Sequence, residues 1–134
     1  MTGSCLLARN PGGHPRDIIE MQAGRPVNFR LLDVAASTLD PDLRLLERNP
    51  AMGARGVRGL LHNQEVLRLQ LRAMLRAAVG TKDTGVLVPF VTTLSELQRV
   101  KSAAIEERVA LQKAKVEIAD RLLIAPIIEV PAAA

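Results

Sequence analysis

The chain has 134 residues, 48% of them apolar and 24% charged, with a net charge of +4 and a pI near 10. That is the size and balance of one globular domain, and the basic excess suits an anionic partner. Two aromatic residues, Phe29 and Phe90, are too few for a base-stacking platform, and the single cysteine, Cys5, excludes an internal disulfide. No apolar run approaches the ~20 residues of a membrane span, and the first nine residues are too short and polar for a secretory signal. The expectation is a cytoplasmic protein.

In chain order, residues 1–23 form a poorly defined N-terminal segment. Asn10-Pro11-Gly12-Gly13-His14-Pro15 reads as a loop, and residues 17–23 as two helical turns stopped by Gly24. His14 and His62, outside any ligand pattern, read as surface residues. Residues 27–32 predict a short strand with Arg30 toward its C-terminal end, and residues 33–48 an irregular loop. There follows Asn49-Pro50-Ala51-Met52-Gly53-Ala54-Arg55-Gly56-Val57-Arg58, where two arginines sit on a loop beside glycines that let the backbone come close to a ligand. Arginine presents a planar fork of donors that suits phosphate or carboxylate. Taken alone, such a loop is ordinarily solvated surface.

Asn63 is placed to cap a helix running through about residue 78, and Gly80 to end it. Leu67, Leu71, Met74, Leu75 and Ala78 make its apolar stripe. Arg68, Arg72 and Arg76 fall on another face, as a solvated row or one packed against acidic neighbours. Residues 85–91 are a continuous apolar run, the pattern of a buried parallel strand, with Pro89 marking where pairing stops. Thr93-Leu94-Ser95-Glu96 is a capping box. It opens a helix predicted to reach about residue 119, with Leu97, Val100, Ala104, Ile105, Val109 and Leu111 on its buried side. Residues 122–128 predict the last strand, interrupted by Pro126, which lacks a ladder donor, and closed by Glu129.

Strands alternating with helices imply an α/β fold with a parallel sheet. The ordered set Arg30-Leu31-Leu32-Asp33, then residues 49–58, then Ile127-Ile128-Glu129-Val130-Pro131-Ala132-Ala133-Ala134 resembles the phosphoenolpyruvate-utilising enzymes. These include enzyme I of the bacterial sugar phosphotransferase system, pyruvate phosphate dikinase and phosphoenolpyruvate synthase. Gln70-Leu71-Arg72-Ala73-Met74-Leu75-Arg76-Ala77 and the closing Glu-Val-Pro-Ala-Ala-Ala are most similar to enzyme I, whereas Arg30-Leu31-Leu32-Asp33 is closer to the dikinase. The chain departs from enzyme I at Ala35-Ala36-Ser37-Thr38, where that enzyme has Gly-Gly-Asp-Lys, and at Pro126, where the family carries a β-former.

The resemblance implies that residues 24–134 are a partial (β/α)8 TIM barrel, about strands two to five only, whose reactive groups lie at the C-terminal ends of the strands. A full barrel needs roughly 250 residues, so the chain reads as a fragment. By the same resemblance Arg30 and Arg55 hold the phosphoryl group of phosphoenolpyruvate, Arg58 supports them, and Glu129 is a Mg²⁺ ligand. The acceptor would be a histidine on a phosphocarrier protein or a histidine domain, or else pyruvate. The family's second metal carboxylate, proton-donating cysteine and phosphohistidine domain have no counterpart in the matched stretch, so turnover by this length of chain is not expected. Two other readings stay open. One is a non-catalytic interaction module, associating with itself or a partner through open sheet edges; the other, ranked third, is nucleic-acid binding through the Arg68, Arg72 and Arg76 row.

Overall fold

A computed structural model describes residues 15–35 and 53–133. Helix α1 (Pro15–Met21) precedes strand β1 (Val27–Arg30). Helices α2 (Val57–His62) and α3 (Gln64–Ala77) lead to β2 (Thr84–Val88), and α4 (Leu94–Lys113) leads to β3 (Leu123–Pro126), before a 3-10 turn over Pro131–Ala133. The readings made for Cys5, His14, residues 36–48 and residues 49–52 lie outside the described residues.

The strands lie in the order β1-β2-β3 and pair in parallel, so the α/β alternation expected from the sequence is present. The described residues hold three strands, against the four implied by a stretch from strand two to strand five. Parallel neighbours require crossovers, which α2 with α3 and then α4 supply. The register sets Val27 beside Thr84 and Arg30 beside Leu87, then Gly85 beside Leu123 and Val88 beside Pro126. Side chains alternate across a pleated strand, so Val27, Phe29, Val86 and Val88 turn together onto Leu67, Leu71 and Val100 of the helices. Arg30 falls on the opposite parity, at the last position of β1. Helix α1 joins the same core through Ile18 and Ile19.

Most helix ends follow their sequence signals. The Asn63 side chain accepts from the Val66 amide at 3.3 Å, and Gly80 takes a left-handed φ of 75° just past α3. Before α4, Glu96 Oε2 accepts from the Thr92 amide (2.7 Å), the Thr92 hydroxyl (2.9 Å) and the Thr93 amide (3.0 Å), while the Thr93 hydroxyl accepts from the Glu96 amide. The capping box is therefore complete. Burial alone would raise the Glu96 pKa, but the hydrogen bonds from Thr92 and Thr93, with the charge of Arg58, hold it below its ordinary 4.5. A depressed carboxylate stabilises the fold above its unfolded pKa, and that contribution disappears as pH falls through the lower folded value. Between neutral pH and about pH 3, Glu96→Gln should accordingly lose less urea resistance than the wild type; equal losses would remove Glu96 from the acid response.

Three expectations need correcting. Helix α4 stops at Lys113, six residues before the predicted 119, because Lys115 turns left-handed (φ 56°). The Lys115 amide donates to the Gln112 carbonyl at 2.9 Å and the Val116 amide to the Leu111 carbonyl at 3.0 Å, which is a Schellman closure with lysine where glycine is usual. Without glycine there was no stop signal to read. Lys115→Gly should raise the unfolding free energy, measured by urea denaturation, by a few tenths to about 1 kcal/mol, since it relieves left-handed strain at some cost in unfolded-chain entropy; a fall would mean that the lysine side chain contributes something larger.

The second correction concerns Ile105 and Val109, assigned to the buried side of α4 but 61% and 41% exposed. The buried row is Leu97, Val100, Ala103, Ala104, Glu107 and Leu111. Third, residues 57–62 form a helix, which the glycines had masked, so Arg58 lies in the first turn of α2 rather than on a loop. Val57, Leu60 and Leu61 bury one side of that helix.

The two prolines mark the sheet's boundaries. Strand β2 ends at Val88, just before Pro89. The Ile127 amide donates to the Val88 carbonyl at 2.9 Å. Because alternate residues of a strand donate to the same side, Pro126 faces away from β2 and its missing N–H costs this sheet no bond. It leaves the outer edge of β3 one donor short.

Candidate anion site at the ends of the strands

The loop leaving β1 is fastened on two sides. Gln70 Oε1 on α3 accepts from the Leu32 amide at 2.9 Å. An antiparallel bridge joins Ala35 to Arg55, and the Gly56 amide donates to the Val34 carbonyl at 3.3 Å. These bonds bring Asp33 under Arg55. Asp33 Oδ1 accepts from Arg55 Nε at 3.0 Å, and Oδ2 accepts from Arg55 Nη2 at 3.3 Å and from Arg30 Nη2 at 2.8 Å.

The same Arg30 Nη2 donates to Glu129 Oε1 at 3.0 Å, joining positions 99 residues apart. The other Glu129 oxygen accepts from the Phe90 amide at 2.9 Å. Phe90, two residues past the end of β2, turns there with φ 53°, a conformation uncommon for a bulky residue and of the kind found at functional sites. Its ring lies under the Arg55 guanidinium, 4.7 Å from centroid to Cζ, a cation–π arrangement. The ends of all three strands thus contribute to one half-buried cluster of Arg30, Asp33, Arg55, Phe90 and Glu129.

Arg55 is held above its ordinary pKa by the hydrogen bond and charge of Asp33, so it is a permanent cation. Arg30 Nε is buried and has no acceptor among the described residues. A buried donor left open in this way is completed by a ligand oxygen or an ordered water.

Arg30, Arg55 and Glu129, singled out from the sequence, converge. Arg58 lies beside Glu96 and lines a pocket with His62 and Arg99. Asp33 was quoted in the sequence motif but given no role. The readable signal was an acid three residues after Arg30, at the end of a strand where two cations were already expected to meet.

The arginine row on α3 is largely neutralised. Arg68 pairs with Glu106 and with Glu107 (3.2 Å), and Arg72 pairs with Glu107 at 2.8 Å. Glu107 is only 3% exposed. Two of the three cations are therefore engaged in holding α3 to α4, as the packed reading of that row expected.

The chain belongs to the phosphoenolpyruvate-utilising enzymes, as its match to that family's domain shows. Residues 14–134 match its domain described as "PEP-utilising enzyme, PEP-binding domain". Among individual relatives, the chain is 37% identical over 120 residues to the phosphoenolpyruvate-protein phosphotransferase of Geobacillus stearothermophilus, covering 89% of this chain and 21% of that protein. It is 32% identical over 120 residues, with the same coverage, to the protein of that name from Bacillus subtilis (strain 168). It is 38% identical over 84 residues to an Escherichia coli (strain K12) protein named "Phosphoenolpyruvate-dependent phosphotransferase system", covering 63% of this chain and 11% of that protein. The chain spans about a fifth of the length of the first two relatives. Among the described residues no helix is long and apolar enough to cross a membrane.

Proposed function

We propose that this chain is the phosphoenolpyruvate-binding part of an enzyme I-type phosphotransferase acting in the cytoplasm, built as a section of a (β/α)8 barrel. Arg30 and Arg55 receive the phosphoryl group, and the acceptor is a histidine on a phosphocarrier protein or a histidine domain. The observation that carries this reading is the fastening of two guanidinium groups to one carboxylate at the C-terminal ends of parallel strands, with Arg30 Nε still lacking an acceptor. Phosphoryl transfer depends chiefly on positioning and charge neutralisation, which this arrangement is suited to supply.

A magnesium ion fits the donor chemistry as a partner rather than as a caged ion. Mg²⁺ commonly takes one or two protein carboxylates and completes its shell with substrate oxygens and water. Glu129 offers one hard carboxylate at the cluster, while among the described residues no group of three or more His, Cys, Asp or Glu side chains forms a metal site. The two arginines are balanced by Asp33 and Glu129, so a phosphorylated carboxylic acid meets no net positive charge from these four side chains. A divalent cation held by Glu129 would restore that attraction and neutralise charge on the phosphoryl oxygens.

Calorimetric titration with phosphoenolpyruvate, with and without Mg²⁺, tests the assignment. Arg30→Ala and Arg55→Ala should each lower affinity by at least about tenfold, the scale of a lost charge-assisted hydrogen bond. Glu129→Ala should abolish the enhancement by Mg²⁺. Binding unaltered by all three changes would remove the ligand from this cluster.

A further inference from the structure

Gln70 ties the anion cluster to α3. At Leu31 the amide still donates to the Leu87 carbonyl of β2, at 2.9 Å. At Leu32 the amide leaves the ladder and donates to Gln70 Oε1, also at 2.9 Å. Only an oxygen accepts from an N–H, so the carboxamide must face the loop with its carbonyl side, and its Nε2 turns back to the Val66 carbonyl of the same helix at 3.4 Å. The peptide held in this way lies one residue ahead of Asp33. Among the described residues the other fastenings of this loop past Leu31, the Gly56 to Val34 bond and the bridge between Ala35 and Arg55, are made by backbone and join it to the Arg55 segment itself. Those would move with Arg55. Helix α3, in contrast, is anchored elsewhere, by Leu67 and Leu71 in the core and by Arg68 and Arg72 on Glu107.

We propose that Gln70 is a positioning residue of the anion site: its side-chain oxygen holds the Leu32 amide and thereby sets the Asp33 carboxylate where it engages both Arg30 and Arg55. A site held by a side chain on a rigid helix keeps its geometry better than one held by its own loop. Without the Gln70 oxygen the half-buried Leu32 amide has no acceptor among the described residues, and the loop must shift to find one. Asp33 would shift with it, away from the Arg55 Nε it meets at 3.0 Å and the Arg30 Nη2 it meets at 2.8 Å. Gln70 itself makes no bond to either arginine, so it acts through Asp33 alone. Its effect on ligand affinity rests on the reading of this cluster as the phosphoenolpyruvate site; its effect on the arginines does not.

The test reads the Arg55 Nε–H signal of the full chain by nitrogen-15 NMR without ligand, assigned by its loss in Arg55→Lys. Gln70→Met keeps an unbranched helix-forming side chain of similar length but no strong acceptor, and should speed solvent exchange of that proton about tenfold, the scale of one hydrogen bond lost. Gln70→Glu restores an acceptor at the same reach and should restore the protection. Arg72→Met, which takes from the same helix the bonds to Glu107 at 2.8 and 2.9 Å, should lower the urea midpoint yet leave the Arg55 proton unchanged. Calorimetry then reads the ligand: Gln70→Met should weaken phosphoenolpyruvate binding about tenfold, with no further loss in an Asp33→Asn background. Unchanged protection in Gln70→Met, equal loss in Arg72→Met, no recovery in Gln70→Glu, or an undiminished loss of affinity on top of Asp33→Asn would each overturn the proposal. A wild-type chain that binds no phosphoenolpyruvate while the Arg55 proton responds as expected would overturn the ligand assignment and uphold the role of Gln70.

Discussion

Asp33→Asn is expected to weaken phosphoenolpyruvate binding by about 10²-fold, the scale at which misplacing a positioning group is felt, while leaving the fold intact. The asparagine keeps the volume of the side chain, so the loop between β1 and Arg55 has no cavity to collapse into. What changes is the hydrogen-bond chemistry. Asp33 accepts three bonds from two arginines through two oxygens, and the amide replaces one of those oxygens with a donor facing guanidinium N–H groups. The single remaining oxygen cannot serve both sides, so the bonds made by one of the two Asp33 oxygens are lost and the paired fastening of Arg30 and Arg55 is broken, leaving among the described residues the stacking of Arg55 over Phe90 and the bond of Arg30 to Glu129. Titration of the variant measures the loss, and repeating it in an Arg55→Ala background should show little further effect, because both changes remove the same arrangement. A gain in affinity would carry the opposite meaning: that Asp33 competes with the ligand phosphate for the arginines instead of orienting them.

How much of this was readable from the sequence differs between levels. Residue-type periodicity located β1, α3 and β2 because each is an apolar pattern bounded by proline, glycine or a capping residue, and the Thr93–Glu96 box fixed the start of α4 almost to the residue. Signals failed where the chain does something with an unusual residue. Lys115 closes α4 in a left-handed turn that glycine would have announced. Gly56 and Gly59 disguised α2, whose buried side becomes visible only against the sheet. Convergence of Arg30 with Glu129 was inferred from strand polarity, since residues ending neighbouring parallel strands share one rim. The pairing of Asp33 with Arg55, unlike that with Arg30 three residues before it, was not legible, because it depends on the bridge between Ala35 and Arg55, and no local pattern specifies that bridge. Nor did helical periodicity distinguish the two apolar sides of α4, for it records which residues are apolar and not which side the fold covers.

Gly56→Ala should destabilise the chain by roughly 2–4 kcal/mol, which for a domain of this size is a fall of about 10 °C in Tm. Gly56 has φ 56° and ψ −127°, a region nearly closed to residues bearing a Cβ. An added Cβ would also lie 3.0 Å from Phe90 Cβ and 3.1 Å from the Pro89 carbonyl oxygen. Neither neighbour can yield freely: that carbonyl accepts from the Val57 amide at 3.1 Å, and Phe90 is already turned left-handed with its own amide bound to Glu129. The sequence suggested that this glycine brings backbone close to a ligand, but the structure uses its bare Cα to bring the start of α2 against the end of β2. The consequence reaches the site, since Arg55 stacks on Phe90 only while those two segments touch. Gly80→Ala separates the two contributions. Gly80 is also left-handed, at φ 75°, but its missing side chain faces open space, so its replacement carries conformational strain alone, about 1 kcal/mol. Thermal denaturation should therefore rank Gly56→Ala well below Gly80→Ala, and phosphoenolpyruvate titration should show impaired binding only in the former. Equal stability losses would mean that the close approach to Pro89 and Phe90 relaxes without penalty, and the register between β2 and α2 would then not be what holds Arg55 in place.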